Sequence, residues 1–327
     1  MQRQYIDIDN ADALSLRTDT LCAPVTGEIA IAVDFAGVNR ADILQRLGLY
    51  PVPADASPIL GLEVSGQVAA IGPDVEGFAI GDNVAALVQG GGYATLANAR
   101  TDHTLKLPPN IDSRHGAALP EALLTVWHNV FVLGELRPDE TLLIHGGGSG
   151  IGTVAIQMAK AWGSRVIATA GGPEKCARVR ALGADVVLDY RSDSLKDDFK
   201  NAGLTGAIDV TLDMAGGDFT ALNFELAAPD GRVVCIGVMR GSTAEIELVP
   251  LLMKRLTLTG STLRGLGMAG RANGFSALQE KMMPFVAAGQ IEPCIDTDVP
   301  LAQAISAHMR MQSGEHFGKI LLDCRPT

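Results

Sequence analysis

The densest run of residues able to do chemistry is His145-Gly146-Gly147-Gly148-Ser149-Gly150-Ile151-Gly152. It lies between a predicted strand, Thr141 to Ile144, and a predicted apolar helix, Ile151 to Ala161. A glycine turn in that context lets the backbone approach a pyrophosphate, while the helix start presents free N–H groups and the positive end of its dipole. On the G-x-G-x-x-G fingerprint Gly147 and Gly152 take the first and third places and Ser149 the middle one; Gly148, Gly150 and Ile151 complete the run. No Lys-Ser or Lys-Thr follows, which excludes a nucleoside-triphosphate loop. An acid about 20 residues further on would bind an adenosine ribose 2′-hydroxyl. Here the second predicted strand ends at Thr169-Ala170-Gly171-Gly172 without one. Lys175 follows, and Arg191 stands beside Tyr190 after the third strand, so a 2′-phosphate, and hence NADPH over NADH, is the expectation.

Other chemistries lack their residues. The six histidines show no H-E-x-x-H or paired spacing, and no C-x-x-C pair exists, so no metal is expected. His128, beside Trp127 in a predicted helix, reads as a packed residue. Gly146 to Gly150 opens a dinucleotide helix rather than a serine nucleophile elbow, and no certain catalytic side chain announces itself. Reducing an unactivated carbonyl calls for a proton donor or a Lewis acid where charge develops. A quinone is already electron-poor, so a positioned nicotinamide in an enclosed apolar site suffices.

These residues need a scaffold, and 327 residues are enough for two domains. Up to about residue 120 the chain reads as short β runs with glycine punctuation (Glu28 to Val33, Val64 to Ile71, Asn83 to Val88), which predicts a curled all-β unit. Ser113 to Leu133 has helical spacing interrupted by Pro120. From Glu140 apolar strands alternate with helices, the pattern of a parallel sheet covered on both faces. A helix over Gly274 to Ala288, a β run near Val299, a helix over Ala302 to Met309 and a strand at Lys319 to Leu322 follow. These last residues are too few for their own core and are expected to complete the first unit.

Charge and composition bound the partners. The balance is 26 basic against 37 acidic residues, or −11, with no basic cluster, which argues against nucleic acid. The five cysteines are isolated from one another and read as reduced thiols. The N-terminus has no signal-type apolar stretch and no run is long enough to span a membrane, so a cytoplasmic protein is expected.

At this point the motifs resemble the zinc-free quinone oxidoreductases of the medium-chain dehydrogenase/reductase superfamily over nearly the whole chain. Gly37-Val38-Asn39-Arg40-Ala41-Asp42 is similar to a segment of that family. Ile59 to Gly66 resembles the stretch where zinc-dependent relatives read Gly-His-Glu, with Leu62 in place of the histidine and Asn39 in the region of a zinc cysteine. The four-cysteine structural zinc lobe has no counterpart. Ile144-His145 and Gln157, Gly172-Pro173-Glu174-Lys175, Leu182-Gly183-Ala184, Asp213 to Gly217, Gly237-Val238-Met239, Leu263-Arg264 and Phe317-Gly318-Lys319 continue the likeness. The resemblance implies a GroES-like β-barrel (1–123, completed by 265–327) and a Rossmann doubly wound parallel sheet (124–264), with the active site in the cleft between them. It implies NADPH contacts from the turn and from Gly171, Lys175, Tyr190, Gly216, Gly237, Met239, Leu263, Arg264, Phe317 and Lys319. It further implies a substrate pocket at Asn39, Gln45, Tyr50 and Thr125, and a homodimer joined near Leu256 to Thr259. The expected activity is NADPH-dependent reduction of small quinones. Reduction of activated C=C bonds in enals, enones or enoyl thioesters is the alternative, and a catalytically silent NADPH-binding sensor or structural protein a third possibility.

Overall fold

The alternation that begins at Glu140 folds into a six-stranded parallel sheet, in the computed structural model that describes residues 1–325. Its strands are β1 (Thr141–Ile144), β2 (Arg165–Ala170), β3 (Val186–Asp189), β4 (Ile208–Asp213), β5 (Ala227–Cys235) and β6 (Thr257–Gly260). The intervening helices are α1 (Gly150–Ala161), α2 (Pro173–Ala181), α3 (Leu195–Asn201), α4 (Asp218–Leu226) and α5 (Leu248–Lys254). The spatial order 3-2-1-4-5-6 reverses direction between β1 and β4. Ligands of open α/β sheets bind beyond the carboxyl ends of the strands at such a reversal. β1 is buried along its whole length, because a parallel strand covered on both faces has no solvent side. Leu143, Ile167, Phe199, Leu204, Ile208 and Leu226 form a core on this sheet.

The chain divides into two units by its contacts. One comprises Met1–Ala122, Phe275–Ala287 and Pro293–Thr327; the other, which holds the parallel sheet, comprises Leu123–Gly274 and Ala288–Glu292. Residues 265–274, grouped in the sequence reading with the C-terminal segment, thus pack with the sheet unit.

The first unit is a mostly antiparallel sheet centred on the strand Glu28–Val38. One edge of this strand pairs with Glu63–Ile71; the other pairs with Leu96–Arg100 toward its start and with Lys319–Asp323 toward its end. Register shifts at Ala30/Ile31 and Val33/Phe35 add the local twist that curls the sheet around Ile29, Ile31, Val33, Val64, Val68 and Val84. The N-terminal strands Gln2–Asn10 and Ala13–Thr20 form a separate hairpin sheet, absent from the sequence reading.

Two helices differ from expectation for local reasons. Pro120 does not merely interrupt the predicted helix; it starts a new one, Pro120–Val126, where a missing N–H costs nothing. That helix runs on into a π-helical turn, Trp127–Leu133. The predicted helix Gly274 to Ala288 is instead Gly267–Lys281 followed by Met283–Ala287, with a break at Met282 just before Pro284, which cannot donate and crowds the preceding turn. Among the described residues no helix is long and apolar enough to cross a membrane.

Candidate functional site

In the sheet unit the glycine turn joins β1 to α1. Gly146 has φ +72°, and the amide of Gly147 donates to the carbonyl of Thr169 at 2.8 Å, which seats the turn beside β2. Ser149 is the N-cap: its Oγ accepts from the Gly152 N–H at 2.9 Å, satisfying one of the free donors of α1. Contact excludes a side chain at Gly152 and crowds one at Gly147. A Cβ at Gly152 would stand 2.3 Å from the Gly146 carbonyl oxygen, and one at Gly147 3.0 Å from Ala168 and 3.1 Å from Val179. Gly148 and Gly150 are buried within the same turn, and Ile151 lies in the first turn of α1. The fingerprint glycines therefore hold helix and strand together, and Ser149 acts on the backbone.

The end of β2 leads into the residues singled out from the sequence for the adenosine end of the cofactor. Gly172 (φ +88°) caps α2, Pro173 follows, and half-buried Lys175 stands in the first turn. The Asp189 carboxylate accepts from the N–H groups of Gly172 and Arg191, both at 2.9 Å, and so fixes the loop after β3 against this helix start. A Cβ at Gly171 would meet the Tyr190 hydroxyl at 2.5 Å and Arg191 Nε at 3.0 Å. Tyr190 and Arg191 thus cover Gly171, and the residues that end β2, Ala170 to Gly172, include no carboxylate.

The opposite side of the reversal is built from the loops after β4 and β5. Backbone amides of Met239 and Arg240 donate to the carbonyls of Met214 and Ala215, at 3.3 and 2.8 Å, and Gly216 bridges to Gly241. A Cβ on Gly237 would lie 3.0 Å from the Met214 carbonyl, so this glycine permits the close approach; Met239 is exposed on the loop. Thr125, in the helix Pro120–Val126, is buried, and its Oγ1 has no hydrogen-bond partner. Asn129 ties that helix to the segment after β6: its Nδ2 donates to the Thr125 carbonyl, and its Oδ1 accepts from Ser261 Oγ, both at 2.8 Å. Arg271 donates to the carbonyls of Leu263 and Arg264, at 3.0 and 3.4 Å.

His128, read from sequence as a packed residue, lines a cavity of about 320 Å³ with Gly260, Ser261, Thr262, Gly265 and Leu266. Burial lowers its pKa and favours the neutral ring. Sequence spacing carried no sign of this, because the cavity's other wall is formed more than a hundred residues later. The π-turn beginning at Trp127 was the one structural cue; such turns recur at functional sites. The narrow glycine turn, the Arg191 guanidinium over Gly171 and the unpartnered Thr125 hydroxyl fit a dinucleotide with a 2′-phosphate.

Phe317, Lys319, Asn39, Gln45 and Tyr50 belong to the first unit. Lys319 is buried in a charged cluster: its Nζ donates to Glu63 Oε1 at 2.5 Å and to Asn39 Oδ1 at 2.6 Å, with Glu121 Oε2 at 3.8 Å. Asn39 Nδ2 donates to the same Glu63 oxygen at 2.9 Å, and the Glu121 N–H donates to Oε2 at 2.9 Å. Gly37 makes room for this carboxylate, since a Cβ there would stand 2.2 Å from Glu63 Oε1. Burial alone would lower the Lys319 pKa, but Glu63, Glu121 and Asp42 outweigh it and hold the ammonium above its ordinary range. Asp42 is pushed up to about 7 by burial, against the N–H groups of Asn39 and Gly61 and the Tyr93 hydroxyl that it accepts from. Asn39 also caps the helix Arg40–Arg46. Gln45 donates to the Pro58 carbonyl at 3.0 Å, Tyr50 is half-buried in the loop beyond, and buried Phe317 donates its N–H to Asp296 at 3.0 Å. Glu63 was not singled out from the sequence.

Among the described residues no group of three or more His, Cys, Asp or Glu side chains is placed to hold a metal ion. The Glu63 carboxylate is already taken up by the Lys319 ammonium, the Asn39 amide and the Glu121 N–H.

Comparisons with known proteins find matches in both units. Residues 25–109 match the alcohol dehydrogenase GroES-like domain and residues 150–286 the zinc-binding dehydrogenase family. A phenolphthiocerol/phthiocerol polyketide synthase of Mycobacterium tuberculosis is 30% identical over 312 residues, which cover 95% of this chain and 14% of the synthase. The chain therefore spans about one seventh of the length of that relative. The structure of Escherichia coli quinone oxidoreductase complexed with NADPH superposes with a TM-score of 0.86 at 28% identity, covering 99% of this chain and 100% of that one. The enoyl reductase CurK gives 0.85 at 24% identity, covering 99% of each chain, a likeness of fold.

Proposed function

Because the chain belongs to the medium-chain dehydrogenase/reductase superfamily, in its zinc-independent quinone-oxidoreductase-like form, with an NAD(P)H-binding Rossmann-like unit, we propose that it is an NADPH-dependent reductase of activated C=C bonds, with enoyl thioesters as the leading acceptor class. The observation that carries the choice of acceptor is the match along 95% of the chain to a segment of a polyketide synthase. Quinone reduction, the main expectation from sequence, is the second reading, supported by the NADPH complex of the Escherichia coli enzyme.

The proposed holding residues are the turn from Gly147 to Gly152 for the pyrophosphate, Lys175, Tyr190, Arg191 and Gly171 for the adenosine 2′-phosphate end, and Thr125, Gly216, Gly237, Met239, Leu263 and Arg264 for the nicotinamide half. When bound, the cofactor supplies a hydride. The chain's own groups then orient and enclose. The Thr125 hydroxyl gains the hydrogen-bond partner it lacks, and the carbonyls held by Arg271 keep the segment after β6 in one conformation. Addition of hydride to a conjugated C=C moves charge onto the adjoining carbonyl oxygen, so a hydrogen-bond donor or water suffices there and no metal is required. The Lys319–Glu63 pair supports the metal-free reading.

A homodimer is proposed through β6, the edge strand, whose backbone is unpaired on one side. Leu248, Val249, Leu252, Met253 and Leu258 are exposed on α5 and β6, an apolar surface suited to a second copy. Sedimentation equilibrium is expected to give twice the chain mass, and a monomer at micromolar concentration removes the proposal.

The acceptor assignment is tested by NADPH oxidation against a panel of enoyl thioesters, enals, enones and quinones. The highest kcat/KM is expected with an enoyl thioester. A fast quinone beside inert enoyl thioesters selects the second reading, and tight NADPH binding without any acceptor-dependent oxidation selects a sensor.

A further inference from the structure

Behind the phosphate turn, Thr169, His145, Asn223 and Asp213 are all buried and form one continuous hydrogen-bonded chain. Its donor directions follow from one end to the other. Asp213 as a carboxylate only accepts: Oδ1 takes the N–H groups of Ala215 and Gly216, at 2.7 and 3.0 Å, and Oδ2 takes Asn223 Nδ2 at 3.0 Å. Asn223 therefore turns its carbonyl oxygen to His145 Nε2, 2.8 Å away, which must carry the proton. The lone pair of His145 Nδ1 then accepts from Thr169 Oγ1 at 3.1 Å, and that oxygen faces the Gly146 N–H at 3.4 Å. The Asn223 carbonyl requires a proton on Nε2, and with the neutral ring that burial favours, Nδ1 is left to accept from the Thr169 hydroxyl. Burial holds His145 below the ordinary imidazole range, and Phe219 packs edge-on to its ring at 4.7 Å.

The two ends of this chain are informative. Gly146 opens the phosphate turn after β1; Ala215 and Gly216 open the loop after β4, which leans on residues 237–241. β1 and β4 are the adjacent strands at which the sheet order reverses. The chain thus spans the reversal and ties one side of a dinucleotide site to the other.

We propose that Thr169, His145 and Asn223 are positioning residues that preset the loop 214–217 against the phosphate turn, so that the surface meeting the nicotinamide half is in place before the cofactor arrives. The inference rests on the NADPH reading and deepens it. Preorganised loops bind more tightly because their ordering cost has already been met.

The test compares NADPH with adenosine 2′,5′-bisphosphate, which offers only the adenosine end. Asn223→Leu keeps the branched heavy-atom shape, with bulkier methyl groups, and removes both links. It is expected to weaken NADPH by about tenfold or more, since a buried carboxylate and a buried imidazole each lose a partner, while the bisphosphate Kd changes less than about twofold. Asn223→Asp keeps the shape but sets two carboxyl groups side by side, which favours a shared proton at low pH. For that variant the NADPH affinity, taken relative to wild type at each pH so that titration of the ligand's phosphate cancels, is expected near parity at about pH 6 and to fall about tenfold by about pH 8, with the same ratio for the bisphosphate flat.

Equal loss for both ligands would mean that the network only holds the unit together, and unchanged NADPH affinity in both variants would also overturn the proposal. If Asn223→Leu does not fold, the pH trend of Asn223→Asp decides. Hydrogen exchange of the unliganded protein separates this inference from its premise. Faster exchange confined to residues 214–217 in either variant supports the network even if wild type binds no NADPH, an outcome that defeats the cofactor reading alone; unchanged exchange there overturns the network.

Discussion

Lys319→Met is expected to lower the unfolding free energy by about 3–5 kcal/mol, the largest loss from any single side chain discussed above. The side chains are similar in length, so packing is nearly kept and the charge is what disappears. Glu63 is fully buried; without the ammonium its Oε1 keeps only the Asn39 amide, and Glu121 and Asp42 lose the same counter-charge. Breaking one partner from a buried pair is far more costly than removing both. The double variant Lys319→Met/Glu63→Gln is therefore expected to recover most of the loss in urea unfolding. A Lys319→Met protein as stable as wild type would show that the cluster carries no net stability. The sequence reading grouped Lys319 with late cofactor contacts; the geometry gives its ammonium two buried oxygen partners within the first unit.

Lys175→Ala is expected to raise the NADPH KM by about 10- to 100-fold, because a charge-assisted hydrogen bond to phosphate contributes about 1.5–3 kcal/mol. The NADH KM is expected to change less than about threefold, since NADH carries no 2′-phosphate for the lysine to meet. Arg191→Ala is expected to act in the same direction, as the guanidinium lies over Gly171 beside Tyr190. Equal changes for both cofactors would remove the 2′-phosphate assignment and leave Lys175 as a helix-surface residue.

Much of the sheet unit was legible because its signals are local. β1 and β2 are uninterrupted apolar runs, and the glycine cluster sits between β1 and α1 with Ser149 at the cap. β5 was harder to delimit: it begins at Ala227, and Pro229-Asp230-Gly231 inside it reads as a turn. The helix Gly267–Lys281 shows little amphipathic periodicity, so its first two turns leave no pattern and the predicted helix starts only at Gly274. At Gly274 a Cβ would stand 2.3 Å from Leu124 Cδ1, so the glycine lets that side chain pack close against the helix. Buried polar groups were least legible. Glu63 and Lys319 are 256 positions apart, and Asn223 meets His145 across 78, so neither pair leaves a pattern in any short window. Motifs report what the backbone must do for a ligand, whereas charge pairing inside a unit depends on how distant strands come together.

The central claim is hydride transfer from NADPH to an activated C=C bond, and isotope transfer tests it most directly. The protein is incubated with NADPH carrying deuterium on either face of the reactive nicotinamide carbon, in separate reactions, together with a short enoyl thioester, and the product is analysed by mass spectrometry and NMR. One face is expected to deliver a single deuterium to the β-carbon of the saturated thioester, with the α-hydrogen drawn from solvent. NADP⁺ formation without label in the product, or no acceptor-dependent oxidation from either face, would contradict the account.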